Sequence, residues 1–200
     1  MLRWGRVEVT GGFLLIGAAL FYLDGQGLLL WAGLACLLHE LGHMGAIYAL
    51  GGRVARLRLS VAGAEMALSA ARRLGPGAQV LCAVAGPVTN LGLAVLSAAL
   101  AERLGEGWFL FAGLNLSLGA FNLLPVEQLD GGRIVYWSIS LLWSQQAARR
   151  AVSLLSRLTV LALLLAGGVL FWVTGANFTL LVTALWLSAS LFLPQKKKIG

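Results

Sequence analysis

Long apolar stretches recur along the chain and are separated by short polar connections. A helix needs about 20 apolar residues to cross the hydrocarbon core of a bilayer. The pattern therefore predicts about six transmembrane helices, of which the first is short. A further apolar piece, Ile134 to Trp143, is too short to span and is interpreted as a half-helix or an interfacial segment. The six predicted spans are Phe13 to Leu23, Leu28 to Leu50, Ala78 to Ala101, Trp108 to Leu124, Leu155 to Val173 and Phe178 to Leu193.

A different pattern follows the second apolar stretch. Polar and apolar residues alternate from Arg56 to Val61, which is the period of a strand with one solvated face. Ala62 to Ala64 would turn the chain into a partner strand over Glu65 to Leu68, so residues 53–68 are predicted to form a small membrane-associated β-hairpin. Its unpaired edge would hold another chain extended by main-chain hydrogen bonds. An amphipathic segment lying on lipid headgroups is the alternative.

The composition agrees with a membrane protein. Of the 200 residues, 59% are hydrophobic and 12% are charged, which excludes an ordinary soluble globule. We expect an all-α polytopic membrane protein that forms one membrane-embedded domain over residues 1–200, without an appended soluble regulatory domain. The two cysteines, Cys36 and Cys82, lie in apolar stretches and do not indicate a disulfide framework.

The distribution of positive charge predicts the orientation. The net charge is +7, but the basic residues lie between apolar stretches rather than on one stripe, which favours membrane topology over nucleic-acid binding. Six crossings put both termini on one side, and every Lys and Arg except Arg103 then falls on that side. Because cytoplasmic loops are enriched in Lys and Arg, both termini and the connection from Gly51 to Gly77 are expected in the cytoplasm.

Residues His39-Glu40-Leu41-Gly42-His43, inside the second apolar stretch, carry the candidate chemistry. Positions four apart share one face of a helix, so both imidazoles can bind a single ion, and neutral imidazole suits zinc. Glu40 would act as the general base on a water at the metal. These are the two histidines of the chain, and an unpaired carboxylate at membrane depth costs at least about 2.5 kcal/mol, which argues against a merely structural motif.

A zinc site of this kind needs a third protein ligand. Most of the eight carboxylates fall in connections or at the far boundary, which leaves Asp130 and, as runner-up, Glu127. Glycines that permit close backbone approach follow Asp130, and Pro125 would let the chain bend back toward the histidines. Glu127 is better explained as a solvated charge at a segment end. Cys36 is a weaker candidate for contact with the metal.

Three motifs carry a family resemblance. Asn122 to Gly131 fits the Asn-x-x-Pro-x-x-x-Leu-Asp-Gly signature of the site-2 proteases, downstream of the His39–His43 motif. Ala85 to Asn90 resembles their Ala-Gly-Pro-x-x-Asn element. The chain is most similar to the small bacterial branch that includes the stage IV sporulation protease, which processes a sigma-factor precursor. Many relatives have proline where this chain has Gln128.

The resemblance implies a bacterial cell-membrane zinc metalloendopeptidase with a peptidase core over residues 28–133. It implies one zinc ion on His39, His43 and Asp130, catalysis by Glu40, and a role for Asn122 in holding the substrate or the developing oxyanion. The substrate would be a membrane-embedded or membrane-tethered protein, such as a sigma-factor precursor or an anti-sigma factor, cleaved near the cytoplasmic face. Regulation would then come from a membrane partner or from the membrane core.

Asn90 has two interpretations, a part in the site or a hydrogen bond between helices, and the second is favoured. The alternative function is a zinc-binding membrane transporter or sensor without hydrolysis. Transporters need polar groups along a route, whereas the intramembrane charge of this chain is confined to one cluster. An inactive relative that retains membrane proteins is disfavoured because every required group is present. The oligomeric state is left open.

Overall fold

The computed structural model describes residues 2–5, 7–25, 27–60, 63–69 and 74–192. Within these ranges the chain forms seven helices and four short strands. The predicted turn at Ala62, and the basic residues Arg6, Arg72, Arg73 and Lys196 to Lys198, lie outside them. The elements in chain order are β1 (Leu2–Trp4), β2 (Val7–Val9), α1 (Gly11–Leu23), α2 (Leu28–Ala49), β3 (Val54–Ser60), β4 (Gly63–Leu68), α3 (Pro76–Leu104), α4 (Gly107–Asn122), α5 (Asp130–Leu142), α6 (Gln145–Thr174) and α7 (Thr179–Phe192).

Three helices are long and apolar enough to cross a membrane, namely α2, α3 and α6. The predictions of a mostly helical fold and of a membrane protein are thus confirmed. The other helices of the described residues are shorter: α4, for example, has 16 residues and a length of about 24 Å, below the ~30 Å of a hydrocarbon core. The predicted number of six crossings therefore stays a prediction. Ile134 to Trp143, whose placement was open, belongs largely to α5, a helix of 13 residues.

The chain folds as two compact units, Met1–Phe121 and Asn122–Gly200. In the first unit, α2 packs along α3. Asp24 stabilises the start of α2, because its carboxylate oxygens accept from the N–H groups of Leu28 and Leu29 at 3.0 and 2.6 Å. Trp31 of α2 contacts Phe111 of α4, with 5.3 Å between ring centroids. In the first unit, α2 therefore contacts both α3 and α4.

Gly42 sets the distance between α2 and α3. A Cβ atom at this position would lie 2.3 Å from Thr89 Oγ1 and 3.0 Å from the carbonyl oxygen of Ala85. Both groups belong to α3, so a side chain at Gly42 would force the helices apart. The absence of a Cβ therefore lets the two backbones approach at the level of the histidine motif.

A four-stranded sheet with the order β1-β2-β3-β4 completes the first unit. The predicted hairpin is confirmed, since β3 and β4 pair antiparallel with Arg58 opposite Glu65. The sheet is larger than the predicted hairpin. Strand β2 pairs parallel with β3, with Val7 opposite Leu57, and β1 pairs antiparallel with β2. One edge of the predicted hairpin is thus occupied, and the outer edge of β4 has no strand partner among the described residues.

An ion pair fastens the N-terminal strands to the hairpin. Glu8 of β2 is buried, and its Oε1 lies 3.5 Å from Nε of Arg56 in β3. Because the Glu8 side chain is buried and that of Arg56 is exposed, the ion pair places a positive charge beside a buried carboxylate. Arg56, which the alternation placed on a solvated face, therefore also joins two strands.

In the second unit, α5 packs on α6 and α6 packs on α7. Residues 123–129 form an irregular segment between α4 and α5. The segment contains Pro125, where the sequence predicts a break in the helix. Ser144 caps α6, and its Oγ accepts from the N–H of Ala147 at 3.1 Å. Asp130, the predicted acidic ligand, is the first residue of α5 and directly follows the irregular segment.

We expect Gly42→Ala to destabilise the first unit, because overpacking of this kind costs about 1–3 kcal/mol. Thermal unfolding of the full chain in detergent should show a lower midpoint. Gly45→Ala is the matched control, since a Cβ at Gly45 meets nothing within 4 Å. An equal response of the two variants would contradict the tight approach of α2 and α3 at Gly42.

Candidate metal centre and relatives

The predicted histidine pair lies on one face of α2. His39 and His43 are both buried, and their Nε2 atoms are 3.1 Å apart. Two nitrogens that bind the same tetrahedral ion at about 2.05 Å would be separated by about 3.3 Å. The two imidazoles therefore face each other in the way that a shared zinc ion requires.

The other ring nitrogens of both histidines contact protein oxygens. Nδ1 of His39 is hydrogen-bonded to Oδ1 of Asn90, and Nδ1 of His43 lies 2.7 Å from the carbonyl oxygen of Cys82. A carbonyl oxygen only accepts, so each Nδ1 must carry the proton and donate it. Each Nε2 then keeps its lone pair for a metal. The interpretation of Asn90 as only a bond between helices was therefore incomplete, because Asn90 also contacts a predicted ligand.

Gly86 of α3 provides the space that the imidazoles occupy. A Cβ atom at this position would lie 2.3 Å from Nε2 of His43 and 2.8 Å from Cε1 of His39. Pro87 follows inside the same helix and is buried. The motif at Ala85 to Asn90 therefore needs glycine at position 86, since any larger residue there would collide with both imidazole rings.

Asp130 is the first residue of α5 and is buried. The positive end of the helix macrodipole favours a carboxylate at this position. Nη1 of Arg133, one turn further on, lies 3.7 Å from Oδ1 of Asp130. Helix and arginine together stabilise the ionised carboxylate, the form that binds a metal.

The backbone before Asp130 is fixed at several points. A Cβ at Gly131 would lie 2.2 Å from the carbonyl oxygen of Leu123, and one at Gly132 would lie 2.1 Å from that of Val126. The glycine pair thus lets α5 begin directly against the irregular segment, as predicted. Ser156 of α6 also holds this segment, because its Oγ accepts from the N–H of Glu127 at 2.9 Å and donates to the carbonyl of Val152 at 2.7 Å.

His39, His43 and Asp130 are side chains of the described residues that could hold a metal ion. Two imidazoles and one carboxylate form a donor set that suits zinc and leaves a fourth position open. This arrangement agrees with the predicted zinc cofactor. Glu127, the runner-up ligand, is exposed, and so is Cys36.

Glu40 and Asn122 are the two further residues that the sequence predicts for this site. Glu40 is half-buried on α2, one residue after His39 and therefore about 100° around the helix from it. Asn122 is half-buried and is the last residue of α4, where the irregular segment begins. The roles of general base and of substrate or oxyanion contact remain proposals for these residues.

The sequence pattern did not identify three residues that contact either the site residues or the irregular segment before Asp130. Asn115 bonds to Asn90, Arg133 pairs with Asp130, and Ser156 holds the irregular segment. Asn115 had a detectable signal, since an amide in a strongly apolar stretch is costly unless it is hydrogen-bonded. The positions of Arg133 and Ser156 relative to the site depend on where α5 begins, which the sequence pattern did not define.

Comparison with known proteins agrees with this site. Residues 97–166 match peptidase family M50, a range that contains Asn122 and Asp130 but not the histidine motif. Rip3 of Mycobacterium tuberculosis, which is named as a zinc metalloprotease, is 36% identical over 128 residues, covering 59% of this chain and 32% of that protein. A protein of Xylella fastidiosa named in the same way is 38% identical over 72 residues, covering 35% of this chain and 15% of the relative.

The predicted resemblance to the site-2 proteases is confirmed by these similarities. The narrower sporulation branch stays a prediction. The matched region spans about a third or less of the length of these curated relatives. A solved structure, the site-2 protease from Methanocaldococcus jannaschii, matches with a TM-score of 0.70 and 19% identity, covering 96% of this chain and 92% of that one. At this identity the match shows that the two chains share a site-2 protease fold.

We expect Gly86→Ala to weaken zinc binding. The added methyl group would displace both imidazoles at a cost of about 1–3 kcal/mol, which corresponds to about 5- to 150-fold in affinity. Competition with a chelator of known affinity measures the change in the detergent-solubilised protein. Gly92→Ala, on the same helix with nothing within 4 Å of its Cβ, should bind zinc like the unmodified chain. Unchanged affinity in Gly86→Ala would contradict the assigned contact.

Proposed function

We propose that this chain is an intramembrane zinc metalloendopeptidase that hydrolyses a peptide bond of a membrane-embedded or membrane-tethered protein near the cytoplasmic face. The observation that carries the proposal is the pair of buried imidazoles of His39 and His43, whose Nε2 atoms lie 3.1 Å apart, with Glu40 next to the first of them in the sequence. The relatives named as zinc metalloproteases support the same activity. Helices α2, α3 and α6 are long and apolar enough to cross a membrane.

Each residue of the site has its own proposed role. His39, His43 and Asp130 would hold the zinc ion, and the ion would supply Lewis-acid activation of a water and of the scissile carbonyl. Glu40 takes a proton from the attacking water and later passes it to the leaving amine. Asn122 donates from its amide to the substrate or to the developing oxyanion. Nη1 of Arg133 lies 3.7 Å from Oδ1 of Asp130 and places a positive charge beside this carboxylate.

The outer edge of β4 is the proposed docking place for an extended substrate segment. In the order β1-β2-β3-β4 this edge has no strand partner among the described residues, while β2 occupies the opposite side of the hairpin. Main-chain hydrogen bonds to such an edge hold a peptide straight without demanding a particular sequence. A substrate in this position would present backbone rather than helix to the peptidase, and helical peptide bonds are poorly accessible to hydrolysis.

The cleavage test compares the chain with single-residue variants during co-expression with candidate single-span proteins, including sigma-factor precursors and anti-sigma factors. We expect Glu40→Gln to keep zinc and to lower cleavage by about 10²- to 10⁴-fold, the usual contribution of a general base. Asp130→Asn should lose both zinc and cleavage. Fragments are mapped by mass spectrometry, and bound zinc is measured on the purified proteins.

Glu127→Gln is the matched control, because the side chain of Glu127 is exposed. This variant should process substrate like the unmodified chain. Substrate processing by Glu40→Gln at the unmodified rate would remove Glu40 from its proposed role. Zinc flux into liposomes without proteolysis of any candidate would instead favour the transporter.

We also propose the six-crossing topology with both termini in the cytoplasm, in which α5 does not span. In a background lacking Cys36 and Cys82, single cysteines are introduced at two exposed positions, Glu106 before α4 and Gln145 at the start of α6. We expect an impermeant maleimide to label Glu106→Cys in right-side-out membrane vesicles and to spare Gln145→Cys until detergent is added. The reverse labelling would overturn the orientation.

A further inference from the structure

Two asparagines next to the histidine pair are completely buried between apolar helices. Asn90 lies in α3 and Asn115 lies in α4, and both are 0% exposed. A buried amide without partners costs about 1–3 kcal/mol, so its retention requires hydrogen bonds. In this chain the two amides bond to each other, because Nδ2 of Asn90 donates to Oδ1 of Asn115 at 2.7 Å.

The donors and acceptors form one directed series. Nδ2 of Asn115 donates to the backbone carbonyl of Phe111 at 2.9 Å. A backbone carbonyl only accepts, so this bond fixes the Nδ2 end of Asn115 and turns its Oδ1 toward Asn90. Nδ2 of Asn90 therefore faces Asn115 and also the carbonyl of Ala35, at 3.4 Å. Oδ1 of Asn90 is left to face Nδ1 of His39.

From this series we propose that Asn115 is a positioning residue for the metal centre, which acts through Asn90 to fix the tautomer and the ring orientation of His39. The inference rests on the zinc site of the proposed function. An acceptor at Nδ1 requires the proton on Nδ1, and this leaves Nε2 unprotonated beside Nε2 of His43. The direction of the whole series is set by the carbonyl of Phe111, a group that no side-chain substitution reverses.

The loss of Asn115 would release this constraint. Without the acceptor at 2.7 Å, Nδ2 of Asn90 keeps only the longer bond to the carbonyl of Ala35. The amide of Asn90 can then rotate and present Nδ2 to His39. Nδ1 of His39 would then accept, Nε2 would carry the proton, and the ring would lose its lone pair toward the metal. His43 would not change, because its Nδ1 donates to the backbone carbonyl of Cys82. The effect is therefore specific to one of the two histidines.

Two variants with the same number of side-chain heavy atoms separate the hydrogen bond from packing. Asn115→Leu keeps the branched shape and removes the acceptor, whereas Asn115→Asp, in its protonated form, keeps an oxygen for Nδ2 of Asn90 and offers a hydroxyl to the carbonyl of Phe111. We expect Asn115→Leu to lower zinc affinity by about 10- to 100-fold, the usual effect of losing an outer-shell partner. Asn115→Asp should remain within a few-fold of the unmodified chain. Ser117→Leu, at an exposed position on the same helix, should have no effect.

The second measurement does not depend on zinc. Because the chain has two histidines, nitrogen-15 NMR of the metal-free, histidine-labelled protein in detergent reports the tautomer of each. We expect His39 to hold its proton on Nδ1 in the unmodified chain and in Asn115→Asp, and to shift toward Nε2 in Asn115→Leu, with His43 unchanged throughout. Asn115→Ala serves as a second loss variant if the leucine variant does not fold.

The outcomes distinguish this inference from the proposed function. If the unmodified chain binds no zinc, the proposed peptidase fails, while the tautomer of His39 still tests the part of Asn115. If the unmodified chain binds zinc and both loss variants bind it equally well with an unchanged His39 tautomer, the positioning role is overturned and the peptidase proposal stands.

Discussion

Each polar group inside the apolar helices needs a hydrogen-bond partner, because neither lipid nor an apolar core supplies one. This constraint decides how α2, α3 and α4 meet. His39 and His43 of α2 find their acceptors on α3, at Asn90 and at the carbonyl of Cys82. These bonds require a short distance between the helices, and Gly42 and Gly86 permit it by lacking a Cβ. The hydrogen bonds of the histidines therefore depend on the close approach that the glycines permit.

The second unit meets the same constraint with charge. Asp130 is buried, and a carboxylate in an apolar surrounding is costly without a compensating positive group. The start of α5 and the guanidinium of Arg133 provide that compensation before any metal binds. Ser156 and the glycine pair then fix the backbone that precedes the carboxylate. The acidic ligand is therefore stabilised by local contacts of its own unit.

Much of this was predictable because the relevant signals are local. Apolar runs identified the helices, alternation identified β3 and β4, and the spacing of His39 and His43 identified their common helix face. Asp130 emerged because few carboxylates in this chain can reach membrane depth. Strands β1 and β2 were missed, since three residues each give no measurable period and the parallel pairing of Val7 with Leu57 joins distant parts of the chain. Asn115 was missed because its importance depends on a neighbour in another helix.

The parallel pairing of β2 with β3 has a mechanical consequence. Strand β2 leads directly into α1, and β3 follows α2, while residues 24–27 join the two helices at their other ends. The two helices are thus closed into a ring, by the chain at one end and by the sheet and the Glu8–Arg56 ion pair at the other. Moving the sheet end of α1 away from α2 would therefore require β2 to separate from β3.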